Sequence, residues 1–342
     1  MNISAANIIE YEPVQASAGN EQKKLKVILR SITYLAEGIK SFEFVAPDRG
    51  ELPPFIAGSH IDVHLPDGVI RQYSLCNPPA DTQRYVVAVL RETNGRGGSI
   101  TMHDRLSPGD EVTISRPRNH FSLADDARRH IFVAGGIGIT PIMSMLAEVI
   151  SRHEPFHLYY CTRTRERTAF IEDLQAYITA EQVTLHHDGG DPHAGLDLPE
   201  ILGQHRPGDH LYYCGPSGFM DAVETAAAHW APETVHYERF SAPAVSAASE
   251  GFESLSQSFD VKLSRTGEVF HVEAGKTIVE VLEDNGVVVD VSCEEGYCGT
   301  CMTRYLEGHP IHNDTVLDDQ DRQDYIMVCC ARSNGGCLVL DL

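Results

Sequence analysis

Basic residues are scarce in this sequence: Lys and Arg number 27 against 49 Asp and Glu, a formal charge of −22. A surface so short of cations is poorly suited to a phosphate backbone or an anionic bilayer, which argues against nucleic-acid and membrane-surface binding. Long apolar runs are missing too. The longest uncharged stretch, Ile131 to Ala147, is interrupted by Gly135, Gly136, Gly138 and Pro141, which suit a strand, a turn and a helix start better than a bilayer span. The opening residues Met1–Ala6 carry neither a basic nor an apolar leader region, so a cytoplasmic protein is expected. Repeats at solenoid spacing are absent. So is any bias toward disorder, since 42% of residues are hydrophobic and 22% charged.

What is present divides into parts. A length of 342 residues suggests two or three domains. Residues 1–24 read as an N-terminal extension. From 25 to 128, short alternating runs such as His60–Leu65, Tyr85–Leu90 and Glu111–Ile114 are separated by turn residues, the pattern of a small antiparallel β-barrel. From 129 to 240, strand candidates at Ile131–Ala134, His157–Cys161, Val183–His187 and His210–Cys214 alternate with helical stretches, implying an α/β parallel sheet. Residues 241–257, rich in Ser and Ala, read as a linker. The remainder, 258–342, opens with two alternating strands followed by a short helix over Thr277–Asn285. It holds six Lys and Arg against 16 Asp and Glu, nearly half the excess negative charge. That suits either a solubilising surface or a docking face for a basic partner.

Six of the nine cysteines fall between Cys293 and Cys337, and such clustering in a cytoplasmic chain favours a metal site over disulfides. Cys293, Cys298 and Cys301 follow C-x4-C-x2-C, with Cys329 28 positions later, the plant-type spacing for a [2Fe-2S] cluster. Three thiolates converging from nine residues need a tightly wrapped backbone, which Gly296 and Gly299 permit. Buried structural cysteines and a tetrahedral zinc site are the alternatives, although the spacing fits zinc poorly. Spacing favours Cys329 as fourth ligand and leaves its neighbour Cys330 as the alternative. This segment resembles the β-grasp fold of plant-type ferredoxins.

Three further segments carry chemistry. Arg71-Gln-Tyr-Ser-Leu75 ends a barrel strand, where Arg71, Tyr73 and Leu75 share one face and Ser74 the other unless the strand bends. Gly95-Arg96-Gly97-Gly98-Ser99 feeds a helical stretch over Ile100–Leu106, an anion site by virtue of free N–H groups and the helix dipole. Gly135-Gly136-Ile-Gly138-Ile-Thr140-Pro141 follows a buried strand and opens a helix over Pro141–Ile150, with Thr140 placed to cap it. Pro141 occupies the third glycine position of G-x-G-x-x-G, so this is not the dehydrogenase fingerprint.

In order and combination, RxYS, GRGGS, GGIGITPI and Cys214-Gly215-Pro-Ser resemble the ferredoxin–NADP reductase superfamily. With the C-terminal ferredoxin segment, the chain resembles the phthalate dioxygenase reductase family over nearly its whole length. The resemblance implies an NADH-oxidising enzyme with FMN and a [2Fe-2S] cluster, delivering electrons to a terminal oxygenase of the Rieske type that would dock near the acidic ferredoxin domain. It implies that Arg71 contacts the flavin phosphate, Tyr73 packs on the isoalloxazine and Ser74 bonds near its N5, with Leu75 beside them. Gly95, Arg96, Gly97, Gly98 and Ser99 would hold the FMN phosphate. Gly135, Gly136, Gly138, Thr140, Arg163 and Gly215 would border the nicotinamide nucleotide, with Cys214 near its ring. Glu238 and Phe240 belong to the segment closing the nicotinamide domain, Phe240 near the flavin. Ser74, Cys214 and Glu238 form the implied catalytic set. Arg163, Arg165 and Arg167 could pair with a 2′-phosphate and so admit NADPH. An FAD-containing reductase and a non-catalytic electron carrier or redox sensor are the rival functions.

Overall fold

The computed structural model describes residues 24–93, 95, 97–240 and 257–342. The extension read over 1–24 and the linker read over 241–257 therefore fall outside the described residues, apart from Lys24 and Gln257, as does Arg96.

Six strands form the first body: β1 (Leu25–Ala36), β2 (Ile39–Val45), β3 (His60–His64), β4 (Ile70–Ser74), β5 (Tyr85–Leu90) and β6 (Glu111–Ile114), in spatial order β4-β3-β6-β1-β2-β5. All neighbours are antiparallel. A bridge from Leu75 to Val87 and a 2.8 Å bond from Cys76 N–H to the Val86 carbonyl join the two edges, so the sheet closes into a barrel. Apolar residues two apart point into it: Val27 and Leu29, Phe42 and Phe44, Ile61 and Val63, Tyr85, Val87 and Val89. Helix α1 (Gly98–Arg105) follows β5 and begins inside the glycine turn, two residues before the sequence pattern places it.

The second body is a parallel sheet of β7 (Arg129–Gly135), β8 (Phe156–Thr162), β9 (Val183–His187), β10 (Asp209–Gly215) and β11 (Val235–Arg239), in order β11-β10-β7-β8-β9. Helices α2 (Ile139–Ser151), α3 (Ile171–Thr179), α4 (Leu198–Leu202) and α5 (Ser217–Ala226) accompany it. Strand β10 is buried along its whole length, as a central parallel strand must be. The order reverses between β7 and β10, which places a crevice at their carboxyl ends.

One expectation at that crevice is corrected. Thr140 does not cap α2. Gly136–Gly138 forms a turn of 3-10 helix that runs straight into α2, so Gly138 takes the cap position and Thr140 donates back to the Ile137 carbonyl at 3.0 Å.

The third body is a β-grasp arrangement of β12 (Phe259–Leu263), β13 (Val269–Val272), α6 (Ile278–Asp284), β14 (Met302–Glu307), β15 (Pro310–Ile311), β16 (Tyr325–Met327), β17 (Arg332–Ser333) and β18 (Cys337–Leu340). Its main sheet runs β13-β12-β18-β14-β16, with β12 and β18 parallel. Thr277 and Glu280 form a reciprocal capping box that starts α6.

Candidate functional site

The cysteine-bearing loop between α6 and β14 has no regular secondary structure. Gly296 and Gly299 have φ of 79° and 77°. A Cβ at Gly296 would lie 2.7 Å from Cys330 Sγ, and one at Gly299 3.0 Å from His120 Nε2. Only glycine meets both demands. The thiols of Cys293, Cys298, Cys301 and Cys329 are all buried. Cys293 contacts Cys298, Cys301 contacts Cys329, and Cys293 contacts Cys329. Cys330 reaches Cys329 and points its thiol toward the Met327 carbonyl at 3.7 Å. Two pairs of sulfur donors suit two irons taking two thiolates each. The donor set fits a [2Fe-2S] cluster.

Cys293 and Cys298 also line a cleft of about 290 Å³ at the meeting of all three bodies. Arg71, Tyr73, Ser74, Gly95, Gly98 and Ser99 come to it from the barrel, and Thr140, Glu238 and Phe240 from the second body. Leu75 turns away and packs in the barrel core, consistent with a strand that bends at Ser74. Gly97 (φ 85°) lies at the cap position of α1, where no side chain bonds to the helix N-terminus. A Cβ on Gly98 would meet Arg71 Cγ at 2.4 Å, so the glycine lets Arg71 lie across the helix start. Guanidinium and helix N-terminus together form a cradle for a phosphate. Ser99 Oγ accepts from the Glu92 N–H at 3.0 Å. The cleft therefore offers an anion cradle, an aromatic side chain and a hydroxyl in sequence, which fits a flavin mononucleotide.

At its inner end Ser74 Oγ donates to Glu238 Oε2 at 3.1 Å. Burial pushes the Glu238 carboxyl up to about 7, with the Ser74 hydroxyl and His120 opposing. His60 Nδ1 lies 3.7 Å from Glu238 Oε1. Burial, aided by Arg118, lowers His60 to about 3, so the ring is neutral and the approach is not an ion pair. His60 stacks on His120 at 5.6 Å.

The nucleotide glycines sit beside the cleft. Gly138 packs so closely on β10 that a Cβ would lie 2.2 Å from the Cys214 carbonyl oxygen. Gly135 and Gly215 both press on the Phe219 ring, with virtual Cβ distances of 2.9 and 2.6 Å. Gly136 (φ 56°) opens the turn between them. Cys214 is fully buried and pairs in register with Glu238 across β10 and β11, so Ser74, Glu238 and Cys214 are successive neighbours. Arg163 lies away from this cleft, exposed after β8 with its side chain over Gly190. Arg167 pairs with Glu37 of the barrel at 3.3 Å. Glu92 and Ser292, outside every motif, also line the cleft, as do Gln72, Ile137, Arg239 and Tyr297, which lie inside motif segments but were given no role.

Comparison with known proteins agrees with this geometry. A family model for a 2Fe-2S iron–sulfur cluster binding domain matches residues 261–334. A second, for the N-terminal domain of dimethylamine monooxygenase subunit DmmA-like proteins, matches 113–233. The reductase subunit of tert-butanol monooxygenase / tert-amyl alcohol desaturase from Aquincola tertiaricarbonis is 43% identical, over 93% of this chain and 96% of its own length. Vanillate O-demethylase oxidoreductase from Pseudomonas sp. (strain HR199 / DSM 7063) is 43% identical over 93% of this chain and 100% of its own. The solved phthalate dioxygenase reductase, described as a modular structure for electron transfer from pyridine nucleotides to [2Fe-2S], superposes with TM-score 0.70 at 42% identity, covering 95% of this chain and 100% of that one.

Proposed function

Because the chain belongs to the phthalate dioxygenase reductase family, we propose that it is the reductase component of a multicomponent oxygenase, taking electrons from NADH through FMN and a [2Fe-2S] cluster to a separate terminal oxygenase. One arrangement carries the reading: cluster-loop cysteines Cys293 and Cys298 line the same cleft as Arg71, Tyr73 and Ser74. When bound, nicotinamide would supply a pair of electrons as hydride, a flavin could take the pair, and a [2Fe-2S] cluster would pass electrons on singly.

The chain's own residues bind, orient and shield. Arg71 and the start of α1 would hold a flavin phosphate, and Tyr73 and Phe240, which line the same cleft, would pack against its ring. Gly135, Gly136, Gly138 and Gly215 let the nicotinamide nucleotide lie close to the ends of β7 and β10. Ser74 holds its hydroxyl toward the ring edge, and Glu238 behind it stores a proton on a carboxyl protonated near neutral pH. Buried Cys214 packs behind Glu238, its register neighbour across β10 and β11. We divide the chain accordingly into a flavin barrel (25–128), a nicotinamide domain (129–240) and a ferredoxin domain (258–342).

The acceptor is an oxygenase because the named relatives serve demethylase, dioxygenase and monooxygenase systems. A Rieske centre is the acceptor of choice, and the acidic ferredoxin domain the face it meets. The relatives' substrates differ widely, so the oxygenase chooses the substrate and the reductase does not. Anaerobic NADH should bleach the flavin absorbance and then raise a reduced-cluster EPR signal. A cluster that stays oxidised while the flavin bleaches would sink the proposed order.

A further inference from the structure

Three side chains between the barrel and the cluster loop play no part in the reading above. Asp62 on β3 and Arg118, just beyond β6, form an ion pair, Nη2 to Oδ2 2.7 Å, with side chains only 4% and 14% exposed. Thr300, between cysteines 298 and 301, donates from its hydroxyl to Asp62 Oδ1 at 3.2 Å and receives Arg118 Nη2 at 3.5 Å. Cys298 Sγ lies 3.3 Å from the same hydroxyl oxygen. The next contact along the loop is Gly299 against His120.

We propose that Asp62, Arg118 and Thr300 form a polar latch that docks the cluster loop on the flavin barrel and sets how fast electrons cross from flavin to cluster. The inference rests on the function proposed above. A buried ion pair is costly to desolvate and is stable only when its remaining bonding capacity is filled. Here the hydroxyl of Thr300, from the other body, fills Asp62 Oδ1. Separation would return both charges to water, so such a contact can be specific in register yet reversible. Among the described residues the apolar cores of the two bodies share no member, so no continuous hydrophobic core welds them together there. An ion pair from Lys24 to Asp290 at 3.0 Å also joins them, but its side chains are 44% and 37% exposed and it contributes little.

The same geometry explains why register matters. Thr300 is two residues from Cys298, which faces the cleft, so a displacement of Thr300 moves that cysteine. Electron tunnelling weakens steeply with distance. Each NADH provides two electrons, and the latch governs their passage, one at a time, from reduced flavin to oxidised cluster. A reversible dock then lets the same cluster turn to its external acceptor. These three are positioning residues.

The test uses full-length protein loaded with flavin and cluster, comparing Thr300→Val, Thr300→Ser and Asp62→Ala with the parent by anaerobic stopped-flow. Flavin bleaching by NADH should keep its parental rate. The following cluster reduction should slow about tenfold in Thr300→Val and Asp62→Ala, in line with loss of a charge-assisted bond, and recover in Thr300→Ser. Amide hydrogen exchange over 60–64 and 296–301 should quicken in the two slow variants, while iron and labile-sulfide content stay full. Parental electron-transfer and exchange rates in fully loaded Thr300→Val would overturn the latch. It would also fall if Thr300→Val slowed transfer with a shifted cluster potential while Asp62→Ala did not, because the hydroxyl would then act on Cys298 alone. Failure of NADH to bleach the parent's flavin would instead remove the function on which the latch rests.

Discussion

Ser74 Oγ and Glu238 Oε2, 3.1 Å apart, join the barrel to the last strand of the nucleotide sheet at the inner end of the cleft. The bond spans 164 positions of sequence. It places a carboxyl whose protonation changes near neutrality behind a hydroxyl facing the flavin site. The first prediction concerns that carboxyl. Its folded value, about 7, lies above the usual 4.5 because burial disfavours the charge. Between pH 4.5 and 7 the folded chain therefore holds a proton that the unfolded chain has released, and stability must fall as pH rises through that window. The shift corresponds to about 3 kcal/mol. Glu238→Gln keeps an oxygen to accept from Ser74 and removes the titration. Its melting temperature should match the parent near pH 5 and exceed it at pH 8. The rate of flavin reduction by NADH should lose its inflection near pH 7 in the same variant. Parallel melting curves at both pH values would show that Glu238 does not titrate in this window.

Gly98 and Arg71 provide the second prediction. An alanine methyl at 98 would sit where Arg71 Cγ now lies, 2.4 Å from it. The arginine must then leave the helix start. Overpacking of this kind costs about 1–3 kcal/mol, so Gly98→Ala should retain FMN about tenfold less well, measured as flavin remaining after gel filtration. Cluster content should be unchanged. Full flavin retention would show that the cradle lies elsewhere.

Much of this architecture was legible in the residues. Alternation at period two marked the barrel, and β–α alternation the parallel sheet, because burial on one face or both leaves a local pattern. The cysteine loop was legible because its ligands are close in sequence and its glycines have a steric reason. Spacing favoured Cys329 but left Cys330 open, since adjacent residues differ mainly in direction. Thr140 was misplaced as a cap because the run Gly136–Gly138 could be turn or helix start, and packing against Cys214 decided it. Asp62, Arg118 and Thr300 carried no signal at all. Contacts between positions 62 and 300 exist only once the barrel and the ferredoxin body meet.

Arg332 is a residue the sequence did not mark. It is 1% exposed, donates from Nη2 to the Gln257 carbonyl at 2.7 Å and from Nη1 to the Lys276 carbonyl, and covers the Phe259 ring at 4.7 Å. It thereby ties the start of the third body to the entry of α6. Arg332→Met keeps volume and removes both donors, leaving two carbonyls short of partners. A loss of about 2–3 kcal/mol is expected. The visible absorbance of the cluster should bleach at a lower temperature in this variant while the flavin signal melts as before. An unchanged bleaching temperature would count against the brace.

The two adjacent cysteines give the sharpest chemical prediction. Cys329 touches Cys293 and Cys301, whereas Cys330 points its thiol toward the Met327 carbonyl and lies over Gly296. A thiolate in the second orientation would face a carbonyl oxygen, a poor neighbour for negative charge, whereas the first lies among the donors that share an iron–sulfur core. Cys329→Ser should therefore purify with little iron or labile sulfide and no reduced-cluster EPR signal. Cys330→Ser should load fully and give the parental spectrum, with at most a small change in midpoint potential. The reverse result, full loading in Cys329→Ser and loss in Cys330→Ser, would mean that the loop closes on the cluster one residue further along than the structure has it. Because serine can weakly ligate iron, Cys329→Ala belongs in the same series, and it should lose the cluster at least as completely.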